Sequence, residues 1–181
     1  MRKIIVTSPT RIKKAIDMIK KRVEISIRYD KHVFFVEGKE VNEFNVARII
    51  QAIDFGFDFE DALLLLRQEF NLEYINIKEH THRKNLAEVR SRLIGTDGKA
   101  KQTIETLTGA AIVIHGNQVG MIVDVEHVEY AIQGIISLIQ GSKHSNVFSY
   151  IERQNANLRK LDTDELGLRN PDKDIDAEDL D

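Results

Sequence analysis

Two glycines three positions apart, Gly95 and Gly98, are the residues of this 181-residue chain whose type and spacing point most directly to chemistry. Glycine permits a tight turn and lets backbone N–H groups approach a phosphate closely. Lys99 and Lys101 follow at once, and a helical pattern begins at Lys99, so the positive end of a helix dipole faces the same place. The segment therefore predicts a phosphate-binding loop.

Two common nucleotide-binding motifs do not fit this loop. A Walker A loop needs a glycine where Leu93 stands and a serine or threonine where Ala100 stands. A Rossmann fingerprint follows a strand, whereas residues 86–93 carry a helical pattern. A bare Gly-x-x-Gly is weak evidence by itself, because an ordinary helix–helix turn has the same composition.

Hydrophobic periodicity predicts the elements that hold the loop. The second half of the chain is predicted as β-α-α-β-β-α, with strands at 73–78, 111–115 and 119–123 and helices at about 86–93, 99–108 and 126–140. The first half is predicted as β-α-β-β-α, with strands at 3–6, 23–28 and 32–37, helices at about 9–22 and 42–55, and a second helix at 60–69 before the next strand. The shared rhythm indicates an α+β protein built on a degenerate internal duplication.

Charge is distributed unevenly along the chain. Residues 1–22 hold eight Lys and Arg against one Asp, and residues 80–101 hold six against two acids, whereas residues 102–141 contain neither Lys nor Arg. Residues 161–181 hold nine acids against two basic residues. Concentrated positive charge is what a polyanion-binding surface needs, and the acidic end has a composition typical of disorder.

The context of the loop resembles a type I KH domain. Ile94 precedes the loop, Ile104 follows it in the next helix, and the stop at Thr108-Gly109-Ala110 leads into the strand 112–114. A KH module clamps about four nucleotides with its Gly-x-x-Gly loop. The resemblance implies two tandem type I KH-like domains: a degenerate one at 1–72, one with the loop at 73–154, and an acidic, disordered tail at 155–181.

Over residues 41–154 the sequence resembles one particular family of KH proteins. The matching segments are 52–57 (AIDFGF), 90–95 (RSRLIG), 101–105 (KQTIE) and 141–148 (GSKHSNVF). They resemble the archaeal two-KH proteins related to the partner-of-Nob ribosome-assembly factors. The resemblance implies a protein without catalysis of its own. The absence of cysteine and of a membrane-spanning run favours a cytoplasmic location, and no cofactor or metal is expected. The resemblance also implies binding to single-stranded small-subunit ribosomal RNA near its 3′ end, with a Nob-type endonuclease and the alpha subunit of translation initiation factor 2 as partners.

The same resemblance implies which residues contact RNA. Aliphatic side chains would receive the bases, while the loop and nearby cations would hold the backbone. The predicted RNA-binding residues are Arg90, Arg92, Leu93, Ile94, Gly95, Thr96, Asp97, Gly98, Lys99, Lys101, Ile104, Ile112 and Ile114, and the predicted additional contacts are Arg83, Lys84, Lys13 and Lys14.

Two features depart from the family pattern. The first half has no Gly-x-x-Gly, and Ser8-Pro9-Thr10-Arg11 stands roughly where one belongs, so this half is expected to bind protein, or RNA through unspecific charge. Asp97 places a carboxylate inside the phosphate loop, where we expect it to cap the helix that starts at Lys99. The alternative function is a protein-interaction adaptor whose loop no longer grips RNA.

Enzyme classes are disfavoured by the residues present. The chain has no cysteine, which excludes disulfides, Cys-ligated zinc and a thiol nucleophile. His80 and His82, with Glu79, could begin a metal site but lack a third ligand at helical spacing. The acids Asp54, Asp58, Glu60 and Asp61 could serve a two-metal nuclease, yet the last three have the positions of helix N-terminal charges. No apolar run is long enough to span a membrane.

Overall fold

The fold is described from a computed structural model, which covers the backbone of residues 1–165 and the side chains of residues 1–160. The first half contains β1 (Arg2–Ile5), α1 (Pro9–Arg22), β2 (Ile25–Asp30), β3 (Val33–Gly38), α2 (Glu40–Phe55) and the short α3 (Phe59–Leu63). The second half contains β4 (Phe70–Asn76), α4 (Leu86–Ile94), α5 (Lys99–Thr108), β5 (Ala111–His115), β6 (Gln118–Asp124), α6 (Val128–Gln140) and α7 (His144–Glu165).

Each half forms a three-stranded antiparallel sheet whose last strand lies in the middle. The strand orders are β1–β3–β2 and β4–β6–β5. Both predicted hairpins are present, since β2 pairs with β3 and β5 with β6. The second half has the β-α-α-β-β-α order of a type I KH domain, and the first half repeats it with one helix fewer.

The two halves share apolar surface. One core holds the helices and sheet of the first half, together with Ile122 of β6. Leu72 and Val113 pack against that same core from the second sheet. A Cβ on Gly120 would lie 2.5 Å from the ring of Phe55, so only glycine lets this ring lie on the middle strand. The second sheet is therefore covered on both faces, by its own helices and by the first half.

The helix predicted at 60–69 is shorter than expected. Helix α3 ends at Leu63, and a single 3₁₀ turn at Leu64–Leu66 follows. Arg67 is extended, with φ −83° and ψ 140°, and β4 begins at Phe70 rather than at residue 73. The apolar residues 63–66 therefore form the turn that leads into the second sheet, because the chain after them pairs as β4 with β6.

Helix α7 is not among the predicted elements, and the predicted tail begins at residue 155, inside this helix. Its 22 residues begin directly after the loop that follows α6. Val147 and Ile151 are buried against α6, where Gly134 leaves room for them. Asn155 joins the helix to α5 by donating to the carbonyl of Leu107 at 2.6 Å. The predicted tail therefore overlaps this helix at residues 155–165, and its remainder, residues 166–181, lies outside the described residues.

Candidate RNA-binding site

The loop at residues 95–98 connects the two helices of the predicted site. Helix α4 ends at Ile94, and Gly95, Asp97 and Gly98 all have left-handed φ values, of 75°, 53° and 76°. Gly98 occupies the N-cap position of α5 with φ 76° and ψ 5°. The first N–H groups of α5 and the positive end of its dipole therefore face the outside of the loop.

The two glycines meet different surroundings. A Cβ on Gly95 would lie 2.6 Å from Cβ and 2.8 Å from the backbone nitrogen of Ala100, so packing requires glycine there. A Cβ on Gly98 would meet no atom within 4 Å. The space outside Gly98 is open, as a phosphate approaching the start of α5 requires.

Asp97 does not act as the helix cap that the sequence analysis expected. Gly98 is the N-cap residue of α5, and no side chain makes a capping hydrogen bond there. Asp97 is exposed and left-handed, a conformation that Asp adopts more readily than most residues. Its carboxylate therefore remains a negative charge within the loop.

The two predicted phosphate-binding lysines are not equivalent. Lys101 is half-buried and forms an ion pair with Glu105, with Nζ 2.8 Å from Oε1. The same carboxylate oxygen accepts the backbone N–H of Ile112 at 2.8 Å, which ties α5 to β5. Lys99 is exposed, and among the described residues it has no ion pair. Lys99 is thus the lysine available to a phosphate without breaking an internal contact.

The five predicted base-contacting residues divide into two groups. Leu93, Ile104 and Ile112 are at most 2% exposed and belong to the second core. Ile94 is 40% exposed, and Ile114 is half-buried on the edge strand β5. A base could touch only the latter two directly, while the former hold α4, α5 and β5 in place around them.

Three of the predicted arginines are already engaged. Arg90 donates to the side-chain oxygen of Asn117 at 2.9 Å, which links α4 to the β5–β6 turn. Arg92 donates to the carbonyls of Gly141 and Ser142, after α6. Arg83 pairs with Glu88 at 3.3 Å and stays partly exposed.

The remaining predicted cations are solvent-exposed. Lys84 precedes α4, and Lys14 lies on the outer face of α1. Lys13 is also exposed and places its ammonium 4.5 Å from the ring centre of Tyr29.

The start of α1, which stands where a loop would belong in the first half, is occupied by an internal carboxylate. Asp54 accepts the backbone N–H of Thr7 at 2.9 Å and that of Ser8 at 2.7 Å, and the hydroxyl of Thr7 donates to it at 3.0 Å. These groups would otherwise be free to bind an anion. The sequence analysis missed this role, because α2 and the β1–α1 turn are 46 residues apart in the chain.

Asp61 of α3 lies close enough to α5 to be affected by its charged side chains. The pKa of Asp61 is raised, first by burial and then by the nearby charges of Asp58 and Glu105, while Lys101 acts in the opposite direction. Asp58 occupies the N-cap position of α3 without a side-chain capping hydrogen bond, and its carboxylate lies 3.6 Å from the guanidinium of Arg11. Asp58, Glu60 and Asp61 thus lie at the N-terminus of α3, whereas Asp54 lies near the end of α2.

Other enzyme candidates gain no support from the geometry. Within the part of the chain that the structure describes, one group of at least three His, Asp or Glu could share a metal ion: Asp124, Glu126 and His127. His80 and His82 do not belong to it. Among the described helices, none is long and apolar enough to cross a membrane.

Comparison with known proteins agrees with this geometry. Residues 71–156 match the second KH domain of PNO1, described as a eukaryotic-type KH domain (KH domain type I). A KH domain-containing protein of Methanocaldococcus jannaschii is 33% identical over 128 residues, covering 65% of this chain and 56% of that protein. The pre-rRNA-processing protein pno1 of Aspergillus oryzae is 30% identical over 116 residues, covering 62% and 42%. The chain thus spans about half the length of these relatives.

Solved structures extend the likeness to both halves. Dim2p of Pyrococcus horikoshii superposes with a TM-score of 0.74 at 30% identity, covering 84% of this chain and 98% of that one. Dim2p in its complex with the alpha subunit of initiation factor 2 and rRNA superposes with a TM-score of 0.76 at 28% identity, covering 86% and 94%.

Proposed function

The chain belongs to the family of KH proteins that includes archaeal Dim2p and PNO1, and from this premise we propose that it binds single-stranded RNA and serves small-subunit ribosomal RNA processing or assembly. The observation that carries the proposal is the open space outside Gly98 at the start of α5, beside the exposed Lys99. The pre-rRNA-processing role of PNO1 and the rRNA bound to Dim2p support it.

In this proposal the second half holds the RNA without catalysing a reaction. The start of α5 and Lys99 bind backbone phosphates, and Ile94 and Ile114 contact bases. We assign sequence discrimination to the loop-bearing domain predicted at 73–154, which in the structure also takes in the start of β4 at Phe70 and the rest of α7, and not to the degenerate domain predicted at 1–72. Asp54 occupies the corresponding helix start in the first half, which supports that assignment.

The proposed partners follow from the relatives. Dim2p forms a complex with the alpha subunit of initiation factor 2 and rRNA, and we extend that partnership to this chain. We also propose binding near the 3′ end of small-subunit rRNA, in assistance of a Nob-type endonuclease. These partners require surfaces outside the loop, so a loop variant separates RNA binding from protein binding.

A second candidate function is a protein-interaction adaptor that does not bind RNA. Two observations favour it. The Asp97 carboxylate lies inside the loop and makes no capping hydrogen bond to α5, and the ammonium group of Lys101 forms an ion pair with Glu105. Both reduce the attraction of the loop for a phosphate.

The test is the salt dependence of RNA binding by a Lys99→Gln/Lys101→Gln variant. If these lysines contact phosphates, affinity falls for all RNA sequences, and the slope of log affinity against log salt decreases by about 0.7 per lost contact. A Lys39→Gln/Lys78→Gln variant, with the same loss of charge on exposed positions elsewhere, is the control. If both variants bind RNA with equal slopes of log affinity against log salt, the phosphate contacts lie outside this loop. If the parent protein does not bind RNA, the adaptor function is favoured.

A further inference from the structure

The short connection between α6 and α7, residues 141–143, is called here the α6–α7 corner. Two guanidinium groups reach it from either end of α4. Arg92, in the last turn of α4, donates to the carbonyls of Gly141 and Ser142. Nη2 of Arg83, which precedes α4, lies 3.0 Å from the position that a Cβ on Gly141 would take. Gly141 is left-handed, with φ 109°, and the lack of a side chain lets the arginine approach.

The corner is also fixed to the helix that leads into the phosphate loop. Nε2 of His144 lies 2.9 Å from the carbonyl oxygen of Arg92, so this nitrogen carries the proton and donates. Arg92 is three residues before Gly95. The corner therefore lies about one helical turn, ~5 Å along the axis, from the start of the loop.

The charge at the corner is predominantly positive. Lys143 is exposed and makes no ion pair among the described residues. Arg83 retains 47% of its side-chain exposure, and Glu88, 3.3 Å away, is its counter-charge. The last turn of α6 has no charged side chain, and the first acid of α7 is Glu152, two turns into the helix. Arg92 is used internally, which leaves Arg83 and Lys143 to face solvent.

We propose that the α6–α7 corner is a second phosphate-binding subsite, formed by Lys143 and Arg83, that continues the RNA backbone beyond the nucleotides held at the Gly95–Gly98 loop. The inference rests on the proposed RNA-binding function. A KH loop holds about four nucleotides, so a longer strand extends beyond the loop. Positive groups elsewhere on the protein can then balance the negative charge of its next phosphates. A guanidinium and an ammonium beside the loop bind phosphate oxygens by charge and by N–H donation.

The test compares RNA lengths in a Lys143→Gln variant. The side chain of Lys143 makes no hydrogen bond or ion pair within the described residues, and its backbone carbonyl, which accepts from Asn146 and Val147, is kept in the variant, so the fold is expected to be unchanged. Oligouridine and oligoadenine of four and of ten nucleotides are titrated at several salt concentrations. We expect unchanged affinity for the four-nucleotide RNAs. For the ten-nucleotide RNAs, we expect the slope of log affinity against log salt to decrease by about 0.7. A tenfold rise in salt would then lower the affinity of the variant roughly fivefold less than that of the parent protein.

Lys160→Gln is the matched control, since Lys160 is an exposed lysine of α7, 17 residues after Lys143 and so away from the corner. A second variant, Arg83→Gln/Lys143→Gln, is expected to lower the slope further. If the parent protein binds neither RNA length, the proposed function fails. If it binds both and Lys143→Gln matches Lys160→Gln for the ten-nucleotide RNAs, the subsite is overturned. Equal weakening for both lengths would place Lys143 at the loop itself and also overturn the subsite.

Discussion

Gly95 and Gly98 belong to one short motif, but the structure assigns them different tasks. Gly95 is required by the close approach of Ala100, whereas the surroundings of Gly98 are open. A side chain at Gly95 acts on the packing of α4 against α5. A side chain at Gly98 acts mainly on whatever approaches the start of α5. Single substitutions at these positions therefore separate folding from binding.

We expect Gly98→Asp to abolish most RNA affinity while the protein stays folded. The new carboxylate would stand beside Asp97, where the two charges repel a phosphate, and more strongly at low salt. The left-handed φ of 76° adds strain, for which we expect a stability cost of ~1 kcal/mol. RNA titration and thermal unfolding measure the two effects.

Gly95→Ala is the control for that experiment, and its expected profile is the opposite. Its Cβ would overlap Ala100, so the unfolding midpoint should fall by more than that of Gly98→Asp.

Binding of the alpha subunit of initiation factor 2 should survive Gly98→Asp. A folded Gly98→Asp protein with parental RNA affinity would make the loop a simple helix–helix turn.

At the scale of elements, α3 of the first half and α5 of the second half are coupled by charge. Asp61 lies near Lys101 and Glu105, and burial is the first cause of its raised pKa. A carboxyl whose pKa is raised in the folded state opposes folding wherever it is charged. That cost is present at neutral pH and disappears below its ordinary pKa of 3.8.

We therefore expect Asp61→Asn to raise the unfolding midpoint at pH 7 and to strengthen RNA binding at low salt. The stability gain should shrink as the pH falls, and it should vanish below about pH 3.8, where the parental carboxyl is protonated in both states. Glu60→Gln, an exposed neighbour on the same helix, is the control for lost charge. A gain that is independent of pH would contradict this explanation.

At the scale of the whole molecule, charge is separated along the chain. The basic residues at 1–22 and 80–101 contrast with residues 166–181, which hold six acids against Arg169 and Lys173. An acidic segment on the same chain has a high effective concentration near any basic surface that it can reach. We therefore expect it to compete with RNA phosphates for that surface.

Removing residues 166–181 is expected to increase RNA affinity at low salt, with the two proteins converging as salt screens the charges. The measurement is the dissociation constant of a ten-nucleotide RNA across a salt series. A full-length variant with the six acids changed to Asn or Gln is the control, and it should match the shortened protein. Lower affinity after removal would show that the segment supports binding.

The sequence by itself determined much of the second half. Period-two strands, period-3.6 helices and the glycines at 95, 98 and 109 were enough to predict the β-α-α-β-β-α order, because these signals are local. The loop and Lys99 were found the same way. Helix α7 was missed because the acidic composition that follows it outweighed a weak apolar pattern at Val147 and Ile151.

Only the tertiary structure decided which of the predicted site residues are available. Glu105 holds Lys101, the corner carbonyls hold Arg92, and Asp54 occupies the start of α1. It also showed that Phe55 lies on Gly120, so that the first half covers a face of the second sheet. Each of these contacts joins residues that are distant in the chain or depends on how a helix end is packed. Local periodicity and spacing carry no information about such pairings, since they arise from the packing of one element against another.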